Sequence, residues 1–197
     1  QWLPVSVGSG LVDRLASSLF ATAQRLARMI RALERDRPTR GRPIVTGFSQ
    51  GGLITYTLAL HHDDVVGYAF PLSTWMPPPL EPLYRREDLS YPPIRSMHGV
   101  ADPIILIGPT RQLVSRLQER GFVVEMIEFE GAVHAMNDDM NTLFHRWLEE
   151  ALCAIDGDAD CSAARDLLAP APELSDGSLD GGLEDGGEIL DAGVDGG

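Results

Sequence analysis

Three side chains in this sequence have the types and order for nucleophilic chemistry: Ser49, Asp102 and His134. Ser49 stands in GFSQGG, residues 47–52, a G-x-S-x-G pattern. A serine hydroxyl attacks a carbonyl carbon only when a base removes its proton, and the base needs an acid to orient it. The pattern alone is weak. With 20 glycines in 197 residues, accident supplies it in roughly one chain in eight. Its surroundings say more. An apolar run, 43–46, comes before it and a longer one, 53–60, follows, which places Ser49 where a strand turns sharply into a helix. Gly47 and Gly51 lack Cβ atoms there, so the turn can form and the helix can approach the strand. The N–H of Gln50, at the helix start, would face an oxygen that gains negative charge, one half of an oxyanion hole.

The partners follow in the order Ser, Asp, His, each on a loop after a predicted strand. Asp102 lies in HGVADP (98–103) and His134 in EGAVHA (130–135). Other candidates have simpler readings. His61 and His62, beside Asp63 and Asp64, form a polar helix end. His145 belongs to the surface of the last helix, and His98 is a structural hydrogen-bonder beside the acid loop. Asp138 and Asp139 suit the first turn of that last helix, where acids are favoured. No His, Asp or Glu cluster has ligand spacing, so no metal is expected.

The elements that must position these residues are legible as alternating patterns. Residues 9–36 repeat Leu11, Leu15, Leu19, Ala23, Leu26, Met29, Ile30 and Leu33 at helical spacing, with arginines between them. Strands are predicted at 43–48, 65–72, 94–98 and 122–129, and helices at 50–62, 109–120 and 137–152. The stretch 73–93, STWMPPPLEPLYRREDLSYPP, is too rich in proline for regular structure. Strands alternating with helices predict an α/β fold, a mostly parallel sheet with helices on both faces. An unpaired edge is expected at the strand beginning at Ile44.

Composition bounds the rest. The net charge is −13, yet all 16 basic residues are arginines within the first 165 residues, against 20 acids there. The body is near neutral and the end acidic, which argues against nucleic-acid binding. No run approaches the length of a membrane span. Cys153 and Cys161 bracket AIDGDAD; a small disulfide loop and two unrelated thiols are both open readings. Asp156, Asp158 and Asp160 alternate like the start of a calcium loop. However, Cys161 stands at its sixth position and Leu167 at its twelfth, so a solvated acidic turn fits better. Residues 153–168 are read as a short Cys-bracketed acidic segment. Residues 169–197, rich in Asp and Gly, are expected to be a disordered tail. The Cys pair and the tail suit an extracytoplasmic bacterial protein, with a cytoplasmic one as the alternative.

Taken together, GFSQGG, PLSTWMP, HGVADPII and GAVHAM before a final helix resemble the phospholipase/carboxylesterase group of α/β-hydrolases, which includes the acyl-protein thioesterases. The resemblance covers about residues 1–152 and implies an α/β-hydrolase domain there. It implies Ser49 as nucleophile, Asp102 as orienting acid, His134 as base, and Gln50 as one oxyanion donor. Ser73, Trp75 and Met76 would lie near an acyl pocket. The implied reaction is hydrolysis of a small-molecule carboxylic ester or thioester through an acyl-serine, without cofactor. The sequence departs from the group at Thr74, usually glycine, and at Ile105-Leu106, usually valine-proline. The group also places several strands and a second oxyanion loop before the nucleophile. The domain is therefore expected to be N-terminally truncated, with a missing segment or a partner chain completing the sheet. A non-catalytic binding module and a secreted esterase or polyester depolymerase on the same fold are the competing expectations.

Overall fold

The computed structural model describes residues 9–157. Four parallel strands form one sheet in the order β1-β2-β3-β4: β1 (Ile44–Phe48), β2 (Tyr68–Leu72), β3 (Ile94–Gly99) and β4 (Val124–Phe129). Helices α1 (Ser9–Asp36) and α2 (Gln50–His61) flank β1 in the chain. α3 (Ile107–Glu119) joins β3 to β4, and α4 (Asp138–Asp156) follows β4. Alternate strand residues divide between two apolar clusters, as the period of a strand dictates. Val45, Ala69, Ile94, Val124 and Met126 pack with α1, α2 and α3. Ile44, Phe70, Leu72, Met97 and Phe129 pack with Met140, Trp147 and Ala151 of α4. The sheet is thus covered on both faces, as expected. No described helix is long and apolar enough to cross a membrane. Among the described strands, β1 forms one edge.

Boundaries shift where the chain uses residues for closure rather than pairing. β2 begins at Tyr68, because Asp63–Val65 form a 3-10 turn and Gly67 N–H reaches back to Pro43 O (2.8 Å). β4 begins at Val124, because Gly121, at φ +83°, and Phe122 close α3, Phe122 N–H bonding Leu117 O (3.0 Å). The buried residues of α1 are Ala16, Leu19, Ala23 and Ala27, three of them alanines, and α1 packs against α2. Met29 and Leu33, read from periodicity as packed, are half exposed at 52% and 51%.

α4 also runs beyond the expected end at Leu152, to Asp156, so Cys153 is helical and not in a loop. Ile155 packs over Gly41, Arg40 pairs with Asp156 (3.5 Å), and Gly157 closes the helix in the left-handed region. Cys161, Asp158, Asp160 and the tail 169–197 lie outside the described residues.

The proline-rich stretch holds one short 3-10 turn, Pro78–Leu80. It is tied to α3 by Glu81, which is nearly buried. Glu81 takes two hydrogen bonds from Arg116 (2.8 and 2.6 Å) and a longer one from Arg120 (3.4 Å). Burial of the carboxylate beside two guanidinium groups fixes the loop that leads from β2 to β3.

Candidate active site

Ser49 sits between the last residue of β1 and the first of α2, with φ 53° and ψ −112°. Such a backbone costs on the order of 1–3 kcal/mol and persists only where its surroundings impose it. Here the Ser49 N–H bonds Leu72 O of β2 (2.9 Å) and its carbonyl accepts Leu53 N–H of α2 (3.3 Å). The turn is tight enough that a Cβ on Gly47 would stand 2.3 Å from the carbonyl carbon of Gly51. Gly51 itself has open space where a Cβ would go. The second crowded position is Gly52, whose Cβ would meet Thr74 Cγ2 at 2.4 Å. The expectation for Gly51 is corrected accordingly: its backbone, not a missing side chain of its own, is what Gly47 must clear.

The structure brings Ser49, Asp102 and His134 together. His134 Nε2 lies 2.8 Å from Ser49 Oγ, and its Nδ1 lies 2.6 Å from Asp102 Oδ2. With Nδ1–H donating to the carboxylate, Nε2 is left with a lone pair facing the serine hydroxyl. Asp102 is nearly buried. Its other oxygen, Oδ1, accepts N–H bonds from Ile104 (2.8 Å) and Ile105 (2.9 Å), so the carboxylate is held on both sides. The turn after an Asp-Pro pair gives this pattern its sequence signal. The Phe48 ring packs against the His134 ring at 4.9 Å, a contact that no sequence feature announced. A hydroxyl, an imidazole and a buried carboxylate in series can transfer a proton out of Ser49 Oγ and return it to a leaving group.

Gln50 is the first residue of α2 and is exposed, so its N–H belongs to the unsatisfied first turn of that helix. The residues expected near a pocket separate. Ser73 is fully buried at φ 44°, just past β2, and its hydroxyl has no hydrogen-bond partner among the described residues. Met76 is a core residue of the larger apolar cluster, and Trp75 packs partly buried against it. Thr74, the departure from glycine, fills the space above Gly52, and its carbonyl accepts the Thr110 hydroxyl (2.9 Å).

The other histidines lie apart from this relay, with one exception. His61 Nε2 meets Leu80 O at 2.7 Å and His145 is exposed. His98 is fully buried, with Nε2 2.8 Å from Ile105 O and 3.5 Å from Asp102 Oδ2. Its partner in register on β4 is Glu128, whose carboxyl Arg111 holds below the usual range through a side-chain hydrogen bond. Ile104, Leu106 and Val133, the apolar neighbours of the acid and the base, are exposed at 52%, 57% and 53%.

Residues 13–149 match the model of a family described as phospholipase/carboxylesterase. A probable carboxylesterase, SOBER1-like, of Arabidopsis thaliana is 26% identical over 109 residues, covering 55% of this chain and 42% of that protein. A probable carboxylesterase of Oryza sativa subsp. japonica is 27% identical over 158 residues, covering 77% of this chain and 56% of the other. The chain therefore spans about half the length of the curated relatives it matches. The crystal structure of esterase PE8 superposes with a TM-score of 0.62 at 17% identity, covering 77% of this chain and 70% of that one, a likeness of fold.

Proposed function

The chain belongs to the phospholipase/carboxylesterase family, and from that membership we propose that it hydrolyses carboxylic esters or thioesters through an acyl-serine intermediate. The observation that carries this reading is the continuous series Ser49 Oγ, His134, Asp102 at 2.8 and 2.6 Å. Ser49 Oγ attacks the acyl carbon while its proton passes to His134 Nε2. The imidazolium is stabilised across the short bond to Asp102. The tetrahedral oxyanion is met by the Gln50 N–H, which no carbonyl of the helix can use.

The carbon–oxygen or carbon–sulfur bond then breaks, and His134 returns the proton to the departing alcohol or thiol. Water, deprotonated by the same imidazole, releases the acid and restores Ser49. Exposed Ile104, Leu106 and Val133 beside the acid and base favour an acyl group with apolar surface to bury. Trp75, partly buried, is assigned to the pocket side of the nucleophile, and Ser73 and Met76, both fully buried, to the packed interior. A pairing of Cys153 with Cys161 stays a proposal of the same kind.

A fluorophosphonate probe tests the reading directly. Labelling of the chain that disappears in Ser49→Ala, together with hydrolysis of a p-nitrophenyl ester, is expected. Labelling that survives the substitution would refute Ser49 as nucleophile.

A further inference from the structure

We propose that His98 is a positioning residue for Asp102, its buried N–H holding the acid loop and the carboxylate in the geometry that His134 requires. This rests on the hydrolase reading above. His98 is fully buried near the end of β3, and both groups facing its Nε2 are acceptors, the Ile105 carbonyl at 2.8 Å and Asp102 Oδ2 at 3.5 Å. Nε2 therefore carries the proton. The same residue that accepts from His98 also gives its N–H to Asp102 Oδ1, at 2.9 Å. Ile105 is thus fixed through its carbonyl by His98 and through its amide by the acid, and Asp102 is clamped between that loop and His134.

Oδ2, the oxygen that His134 uses, lies 3.5 Å from the same Nε2, beyond a hydrogen bond but near enough for the N–H dipole to favour the carboxylate. A carboxylate with no exposed side chain depends on such donors, since water cannot replace them. The charged and titratable groups around His98 are Asp102 and His134 on the loop side and Glu128, paired with Arg111, on β4. Glu128 is engaged by Arg111, which leaves Asp102 and the Ile105 carbonyl as the groups that His98 serves.

Two substitutions in the full chain separate positioning from packing. The amide nitrogen of Gln reaches the place of Nε2, whereas that of Asn reaches only the place of Nδ1. Expected for His98→Asn is a loss of roughly tenfold in kcat per fluorophosphonate-titrated site, with KM within about twofold, the size of effect that small misplacements of a catalytic group produce. His98→Gln is expected to stay within roughly threefold. The downfield proton resonance of the His134–Asp102 bond should broaden in His98→Asn and persist in His98→Gln. Equal losses in both variants, no loss in either, or a change in KM alone would overturn the assignment. Normalising to titrated sites removes any effect of lost folded protein. Should His98→Asn not fold, a folded His98→Gln that loses tenfold decides against the proposal and one that keeps its rate supports it. If the unsubstituted chain neither labels nor hydrolyses, the hydrolase reading falls, and the resonance alone decides His98: lost with Asn and kept with Gln supports it, and unchanged in both overturns it.

Discussion

A Cβ on Gly99 would stand 2.3 Å from the carbonyl oxygen of Ala132, so the acid loop and the base loop touch where only a hydrogen fits. The same carbonyl accepts the Ala101 N–H at 3.0 Å, one residue before Asp102 and two before His134 on the two sides. This contact sets how far Asp102 stands from His134. Gly99→Ala should push the loops apart by several tenths of an ångström and lower kcat by roughly 10–100-fold. It should destabilise the fold by about 1–3 kcal/mol. Kinetics per folded molecule beside a urea titration would check this. An activity that falls only in proportion to the folded fraction would show that the contact does not position the acid and base.

Asp102→Asn replaces an acceptor with an amide. If the amide oxygen keeps the Ile104 and Ile105 N–H bonds, its NH2 faces His134 Nδ1. Nδ1 must then accept, the proton moves to Nε2, and the lone pair facing Ser49 is gone. A fall in kcat of about 10³–10⁴ is expected, with the fold kept, because the backbone contacts survive. Steady-state kinetics and circular dichroism together read both halves. A variant with ordinary turnover would remove Asp102 from the relay.

The juxtaposition of Ser49, Asp102 and His134 was legible before the fold because the chemistry proposed for them demands residue types in a fixed order, and these three were the ones on loops after strands. Less legible was anything decided by closure in space. Gly52 rather than Gly51 proved the crowded position because Thr74, 22 residues on, packs there. Periodicity put Met29 and Leu33 on the packed side of α1, but the residues that are buried are Ala16, Leu19, Ala23 and Ala27. The extension of α4 through Cys153 brings Ile155 and Asp156 to Gly41 and Arg40, over a hundred residues earlier, a contact no local pattern announces. His98 could be recognised as a hydrogen-bonder from its place beside the acid loop, but not as the residue whose N–H holds the Ile105 carbonyl beside Asp102.

Glu81 offers a stability prediction away from the chemistry. Its carboxylate is 5% exposed, and Arg116 and Arg120 both bond it. Glu81→Gln keeps the shape and removes the charge; it should cost about 1–3 kcal/mol, the range for hydrogen bonds to charged groups. Denaturant unfolding would measure it. If kcat per titrated site stays unchanged while the midpoint falls, the proline-rich stretch is anchored by this pair for stability alone. A midpoint within a few tenths of a kcal/mol of the parent would contradict the anchoring role.

His62 carries a prediction in pH. Burial depresses its pKa below 6.5, and Arg31 and His61 add to that depression, opposed by Asp64 and Asp63. The imidazole lies beside Phe20, and its Nε2 is buried. Below pH 6.5 the unfolded chain therefore takes up a proton that the folded chain refuses, so stability falls as the pH drops through that value. The Arg31–Asp64 pair acts in another window. It holds the Asp64 carboxyl below 3.8, and its contribution is lost only in more acid solution. Urea midpoints at about pH 7.5 and about pH 5 should differ in the parent chain and differ less in His62→Gln, which cannot take the proton. Parallel pH dependences in the two proteins would show that the half-buried imidazole is not what acid attacks first.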